Sequence, residues 1–191
     1  MNLNEVLICD IECDGLLDQL TKLHVLSCSY PDGKGGWGIM STNDREKVQH
    51  LVGNPDNIIV GHFFLGYDKP ALQKLGFDFQ AQVICTLGLS WYLYNEMIRH
   101  GLADWGEIFG VPKPKIDDWE GLTYEEYKHR CEEDVKINTN LWVQMLTLLR
   151  ELYDGDESAV VNVVKYFTFK MECLQIQEAN KILIDVPQCE K

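Results

Sequence analysis

Residues 6–17 read VLICDIECDGLL, and the reading of this stretch decides the fold. Val6 to Cys9 form a short apolar run, which predicts a buried strand. The run delivers two carboxylates, Asp10 and Glu12, one residue apart. Side chains on a strand alternate faces with period two, so these two point the same way. Like charges on one face repel, and hard divalent cations such as Mg²⁺ reverse that sign by taking carboxylate oxygens. Two readings of the pair are open: a strand end with two solvated acids, or part of a cation site. Gly15 follows, where the backbone can turn sharply.

Outward from this strand the chain predicts a meander. Residues 22–30 (KLHVLSCSY) alternate as a second strand, residues 31–36 turn, and residues 37–41 return as a third. Asn43 or Asp44 caps a short helix that runs to about Val52. Residues 58–61 are continuously apolar, the mark of a strand buried on both faces. Asp68 sits at a helix start, ahead of Ala71, Leu72 and Leu75. Residues 83–86 predict another strand, and residues 87–94 and 100–109 predict two helices, the second ended by Gly110. Residues 111–115 are a loop carrying Lys113 and Lys115. Thr123-x-x-Glu126 is a capping-box signature that opens a long helix ending before Gly155. Residues 154–158 are the best candidate boundary. Residues 159–182 read as one more helix and residues 183–187 as a short extended tail. The pattern predicts an α/β fold with a mixed sheet of about five strands and helices on both faces. Residues 1–154 form the main domain and residues 155–191 a C-terminal helical extension.

The 191 residues suit one domain, and 46% hydrophobic content supplies a real core. A net charge of −13 argues against gripping nucleic acid through overall charge. It leaves room for an enzyme whose metal ions supply local positive charge. Seven scattered cysteines without a CxxC pair signal neither a zinc site nor a disulfide framework. Reduced thiols and a cytoplasmic location follow, in the host cytoplasm if the protein is viral. The N-terminus has no basic segment ahead of a long apolar run, which predicts no signal peptide. No stretch is long and apolar enough to predict a membrane span.

Four acids stand out: Asp10, Glu12, Asp68 and Asp134. Asp68 follows the second buried strand, and ligands of open α/β sheets gather at the carboxyl ends of strands. Three motifs in order carry a resemblance. Asp10-Ile-Glu12-x-x-Gly15-Leu16 resembles the first motif of the DEDD superfamily of 3′–5′ exonucleases, also called DnaQ-like. His129-Arg130-Cys131-Glu132-Glu133-Asp134 resembles the third motif of its histidine branch, with Cys131 at the small-residue position. Gly61-His62-x4-Tyr67-Asp68-x-Pro70-Ala71-Leu72 resembles the second motif as found in proofreading domains of bacteriophage family A DNA polymerases. The stretches His100-x-Leu102-x-x-Trp105-Gly106 and Asp134-Val135-x-x-Asn138 resemble that phage group too. So does the C-terminal part, Met171 to Val186, which resembles the segment that joins proofreading domains to the polymerase.

The resemblance implies a ribonuclease H-like fold and metal-dependent hydrolysis at the 3′ end of single-stranded DNA, in phage proofreading. It implies two Mg²⁺ ions, with Mn²⁺ able to substitute, and a polymerase domain or subunit as a possible partner. Two such ions about 4 Å apart stabilise attacking and leaving oxygens. Asp10 would bridge both ions, Glu12 and Asp134 would complete the one that activates water, and Asp68 would help hold the second. This chain departs from the pattern at Phe63, where many relatives carry Asn. It also departs at Cys85, where an Asp is common, and at Arg130, where the phage group places Tyr.

His129 is the candidate general base, since an imidazole titrates near neutral pH. Five residues along a helix turn about 140°, so His129 and Asp134 are not on one face. Both border one site only if the metal lies between them or if His129 precedes the helix proper. Tyr127 is the rival base, two turns from Asp134, where packing or capping suits it better. Leu16 is either a wedge against the terminal base or a core leucine. Phe63 and Phe64 either stack on bases or sit in the core. Arg130 contacts a phosphate or pairs with a nearby Glu. His62 reads as structural, and Lys113 and Lys115 as a strand-tracking pair or a solvated loop. Two other functions remain in play: an exoribonuclease trimming RNA 3′ ends, and a non-catalytic docking module that uses the apolar stretch 160–169.

Overall fold

Five strands form one sheet: β1 (Leu7–Cys13), β2 (Leu23–Pro31), β3 (Trp37–Thr42), β4 (Ile58–Gly61) and β5 (Gln82–Cys85). The computed structural model describes residues 1–111, 113, 121–181 and 186–189. The strand order is β3-β2-β1-β4-β5, with β1 in the middle. β1 to β3 are an antiparallel meander, and β4 and β5 add in parallel, as the sequence predicts.

The apolar run ends at Cys9, and β1 carries on through Asp10 and Glu12 to Cys13. The cause is β2, which pairs with β1 through Asp10↔Ser27 and Glu12↔Val25. On the other edge the β4 pairing covers only Leu7↔Ile59 and Ile8↔Val60. Asp10 and Glu12 therefore sit within a strand that is laddered on one side and open on the other.

The pleat sorts β1 by face. Cys9, Ile11 and Cys13 pack with Val48 and Val52 of α1 (Arg45–Val52) and with Ala71 and Leu72 of α2 (Asp68–Lys74). Ile8 packs on the opposite face, with Ile137, Leu141 and Trp142 of α5 (Tyr124–Leu152). That face also holds Leu89 of α3 (Thr86–Leu93), Trp105 of α4 (Leu102–Phe109), and Val160 and Val164 of α6 (Glu157–Asn180). Period two then carries Asp10 and Glu12 to the α5 face. Each fully buried valine, leucine or isoleucine in these layers contributes about 1.5–3 kcal/mol of burial free energy.

Local sequence sets the helix ends. Asp44 caps α1 by accepting from the backbone N–H groups of Glu46 and Lys47 at 2.9 and 3.2 Å. Thr123 and Glu126 form the expected capping box at the start of α5. Gly110 ends α4 with φ +67°, a conformation that costs glycine nothing. Asp156 caps α6. Much of the tail expected as extended over residues 183–187 lies outside the described residues; Val186–Cys189 forms a helical turn, α7. The seven cysteines are free thiols. No described helix is long and apolar enough to cross a membrane.

Candidate active site

Three elements converge where β4 has ended and β1 continues. β1 supplies Asp10 and Glu12, α2 supplies Asp68 as its first residue, and α5 supplies Asp134. Carboxylate oxygens of Asp10, Glu12 and Asp134 lie within 4.8 Å of one another. Asp68 stands outside that triad of oxygens. Its Oδ1 accepts the backbone N–H of Ile11 at 3.2 Å, satisfying a β1 donor beyond the end of the β4 pairing. Asp68 thus fixes the backbone between the two β1 acids.

Further contacts brace this corner. Tyr67 donates its hydroxyl to the Gly15 carbonyl at 2.6 Å. Lys74 Nζ donates to the carbonyls of Leu17 and Asp18 at 2.7 and 2.9 Å. The second-motif helix therefore holds the turn that follows the first motif. Cys131 is buried, and its thiol donates to the Asp10 carbonyl at 3.3 Å. A small side chain there lets α5 lie close to β1.

The electrostatics are those of crowded anions. Burial, then the charges of Asp134, Asp68 and Glu12, push the Asp10 carboxyl well above its usual range. Burial pushes Glu12 up to about 7 against the lowering effect of Arg130. Asp68 is pushed up to about 8, chiefly by burial. Burial raises Asp134, opposed by Lys113. Two cations offset the cluster. Arg130 Nε donates to Glu12 Oε1 at 2.8 Å, and Lys113 Nζ pairs with Asp134 Oδ2 at 2.5 Å. The remaining Asp134 oxygen, Oδ1, is buried with no hydrogen-bond partner among the described residues. Arg130 thus pairs with a Glu, though with the site acid Glu12 rather than a surface residue. Lys115 lies outside the described residues.

The other candidates divide. Leu16 is 71% exposed and is no core leucine. It lines a cavity of about 700 Å³ beside the acids, together with Glu12, Cys13, His24, Tyr67 and Tyr127. Phe64 corrects an expectation: it is fully buried, packs on Phe79 with ring centroids 6.0 Å apart, and presents no face to a base. Gly61 explains why, since a Cβ there would stand 2.3 Å from the Phe64 ring. Phe63 is 37% exposed, lies outside the cavity lining, and holds φ +58°. Asn adopts that left-handed region readily and Phe does not. Here the ring folds over Gly66.

His129 lies within α5, not before it, and its side chain is 65% exposed. Its Nδ1 is 4.0 Å from Glu133 Oε1, and it stands outside the triad of acid oxygens. Tyr127 is buried and stacks on His24, with centroids 3.9 Å apart and planes 7° from parallel. Burial raises its hydroxyl further from neutral pH.

A buried relay escapes the sequence reading. His62 Nδ1 lies 3.0 Å from Thr86 Oγ1, which donates to Asn138 Oδ1 at 2.8 Å. Thr86 Oγ1 also lies 3.4 Å from the Gly61 carbonyl. Burial holds the His62 imidazole neutral, with its pKa lowered to about 4. The relay ties β4 and α3 to the turn of α5 just beyond Asp134. The only signal for it in the sequence is the Asp134-x3-Asn138 spacing, which puts both on one helix face.

No protein-family profile matches the sequence, and no curated protein matches it. Solved structures do match. One described as the apo form of the nuclease has a TM-score of 0.61 at 19% identity, covering 96% of this chain and 90% of that one. Brucella melitensis NrnC with bound Mg²⁺ has a TM-score of 0.58 at 18% identity, covering 95% and 90%. Brucella melitensis NrnC bound to pGG has a TM-score of 0.57 at 18% identity, again covering 95% and 90%. This chain shares their ribonuclease H-like α/β fold over nearly its whole length.

Proposed function

We propose that this chain is a metal-dependent 3′–5′ exonuclease acting on single-stranded DNA ends. The observation that carries the reading is the triad of Asp10, Glu12 and Asp134, whose oxygens lie within 4.8 Å of one another. Crowded, largely desolvated carboxylates of this kind suit a hard divalent cation. The unpartnered Asp134 Oδ1 is a ready ligand atom for it. Asp10, Glu12 and Asp134 would hold Mg²⁺ or Mn²⁺, with Asp68 supporting them through β1. Bound there, the ion supplies Lewis-acid stabilisation of phosphoryl oxygens and lowers the pKa of water. The fold neighbour solved with Mg²⁺ is in keeping with that choice.

The chain's own groups supply the rest. The cavity behind Leu16 receives the terminal nucleoside, and its volume falls in the ordinary range for ligand pockets. Phe63 offers an exposed ring at the rim of β4, and Arg130 a charge beside Glu12. His129, exposed on α5, is the proposed general base. Its replacement by Ala is expected to slow hydrolysis roughly 10²–10⁴-fold, measured in single-turnover assays. An unchanged rate would leave deprotonation to the metal-bound water alone.

The motif order supports proofreading in phage replication as the setting. Residues 1–154 then carry the chemistry, and residues 155–191 lead toward a polymerase domain or partner. A second substrate class has one observation in its favour, the fold neighbour solved with pGG. It suggests short oligonucleotides, RNA among them. The test uses 5′-labelled single strands of DNA and RNA with Mg²⁺, sampled over time. Stepwise loss from the 3′ end is expected, faster on DNA, and Asp10→Ala abolishes it while keeping the fold. A mismatched 3′ end on duplex DNA should shorten faster than a paired one. No shortening of any strand with Mg²⁺ or Mn²⁺ would overturn the assignment.

A further inference from the structure

We propose that Lys113 is an internal counterion of Asp134 that competes with the metal and withdraws when the metal binds. The inference rests on the reading of the triad as a dication site. Lys113 Nζ lies 2.5 Å from Asp134 Oδ2. Whichever Asp134 oxygen takes the metal, an ammonium and a dication on one carboxylate in a poorly hydrated site repel strongly. The two cations of the site are not equivalent. Arg130 belongs to α5, one turn before Asp134, and its guanidinium is fixed on Glu12 with little exposure. Lys113 belongs to no helix or strand, and its side chain is 25% exposed where that of Asp134 is 3% exposed. A flexible four-carbon stem with one open side is built to withdraw; a guanidinium seated within a helix is not.

The consequence is a competition. Without metal, Lys113 neutralises a buried carboxylate that would otherwise stand uncompensated. With metal, the ion takes over that role and the ammonium is released to the edge of the cleft. Lys113 therefore stabilises the metal-free fold and weakens metal binding at once, two effects that a merely structural ion pair would not link.

The test is a Mn²⁺ titration of the full chain followed by electron paramagnetic resonance, comparing the wild type with Lys113→Met. The variant is expected to bind Mn²⁺ about 5- to 150-fold tighter, the ordinary span of coupling between two ligands. It should also melt at a lower temperature than the wild type in EDTA, with the gap closed or reversed by saturating Mn²⁺. Equal or weaker binding by the variant would overturn the proposal while leaving the metal site intact. Absence of Mn²⁺ binding in both proteins would overturn the metal site and this proposal together. Should the variant fail to fold in EDTA, lysine-labelled wild type decides the matter by NMR. The Lys113 side-chain signal, identified by its loss in Lys113→Arg, should move to the position of a solvated lysine on Mg²⁺ saturation. A signal that stays in place while Mg²⁺ binds would contradict the exchange.

Discussion

Single residues show where sequence reading succeeds and where it stops. Asp10 and Glu12 are legible because a strand's period of two fixes their common face whatever surrounds them. Phe64 is not, since a phenylalanine after a buried strand suits a base platform and a core equally. Only the missing Cβ of Gly61 lets its ring turn inward. Phe63 holds a left-handed backbone at φ +58° that costs a non-glycine residue about 1–2 kcal/mol. Phe63→Asn is therefore expected to raise stability by up to about 1 kcal/mol in urea unfolding, net of the lost ring contact with Gly66. A loss of stability of that size would mean that the ring contact dominates. The acids set a pH dependence. Asp68 at about 8 and Glu12 at about 7 stand above their unfolded values near 3.9 and 4.3. The native state then binds more protons than the unfolded chain between about pH 4 and pH 8, so metal-free stability falls as pH rises across that window. Melting temperatures in EDTA should decline over it, and Asp68→Asn should flatten the decline. A midpoint that rises with pH in EDTA would contradict the crowding.

Elements place the site because their ends do not coincide. β4 stops at Gly61 while β1 runs on, and the open edge admits Asp68 to the Ile11 N–H. The sequence marks β4 and the acids at the end of β1, but not the ladder to β2 that holds β1 beyond its apolar run. The capping box of α5 is local and was therefore readable. The relay through His62, Thr86 and Asn138 was not, since its partners are 24 and 52 residues apart in sequence. Lys113 and Arg130 escape for the same reason as neutralisers of named acids: a lysine in a loop carries no mark of the carboxylate that it meets. Gly106 on α4 connects this scale to the site. A Cβ there would stand 2.5 Å from the Val111 carbonyl and 2.9 Å from Ile137 Cδ1. Gly106→Ala should cost about 1–3 kcal/mol, since a backbone carbonyl yields poorly to overpacking. It should also disturb the segment that carries Lys113 to Asp134. An alanine variant as stable as the wild type would show that α4 and its following turn can shift without loss.

At the scale of the whole molecule, a net charge of −13 must be reconciled with a polyanionic substrate. Within the site both described cations are already paired with acids. Attraction for a phosphate must then begin with bound dications, which offset the acids that lysine and arginine otherwise neutralise. Binding of a fluorescent single strand, read by anisotropy, is expected to need a divalent ion. Ca²⁺ should support it and EDTA should abolish it; tight binding in EDTA would assign the grip to protein cations instead. The chain gathers Asp10, Glu12 and Asp134 between β1 and α5, and the burial of those acids is the cost that metal binding offsets. The most direct measurement is therefore anomalous diffraction from a crystal soaked in Mn²⁺. The account predicts a peak within bonding distance of Asp10, Glu12 and Asp134, with Lys113 withdrawn from Asp134. Peaks confined to other places, with Lys113 and Arg130 still seated on their carboxylates, would contradict it.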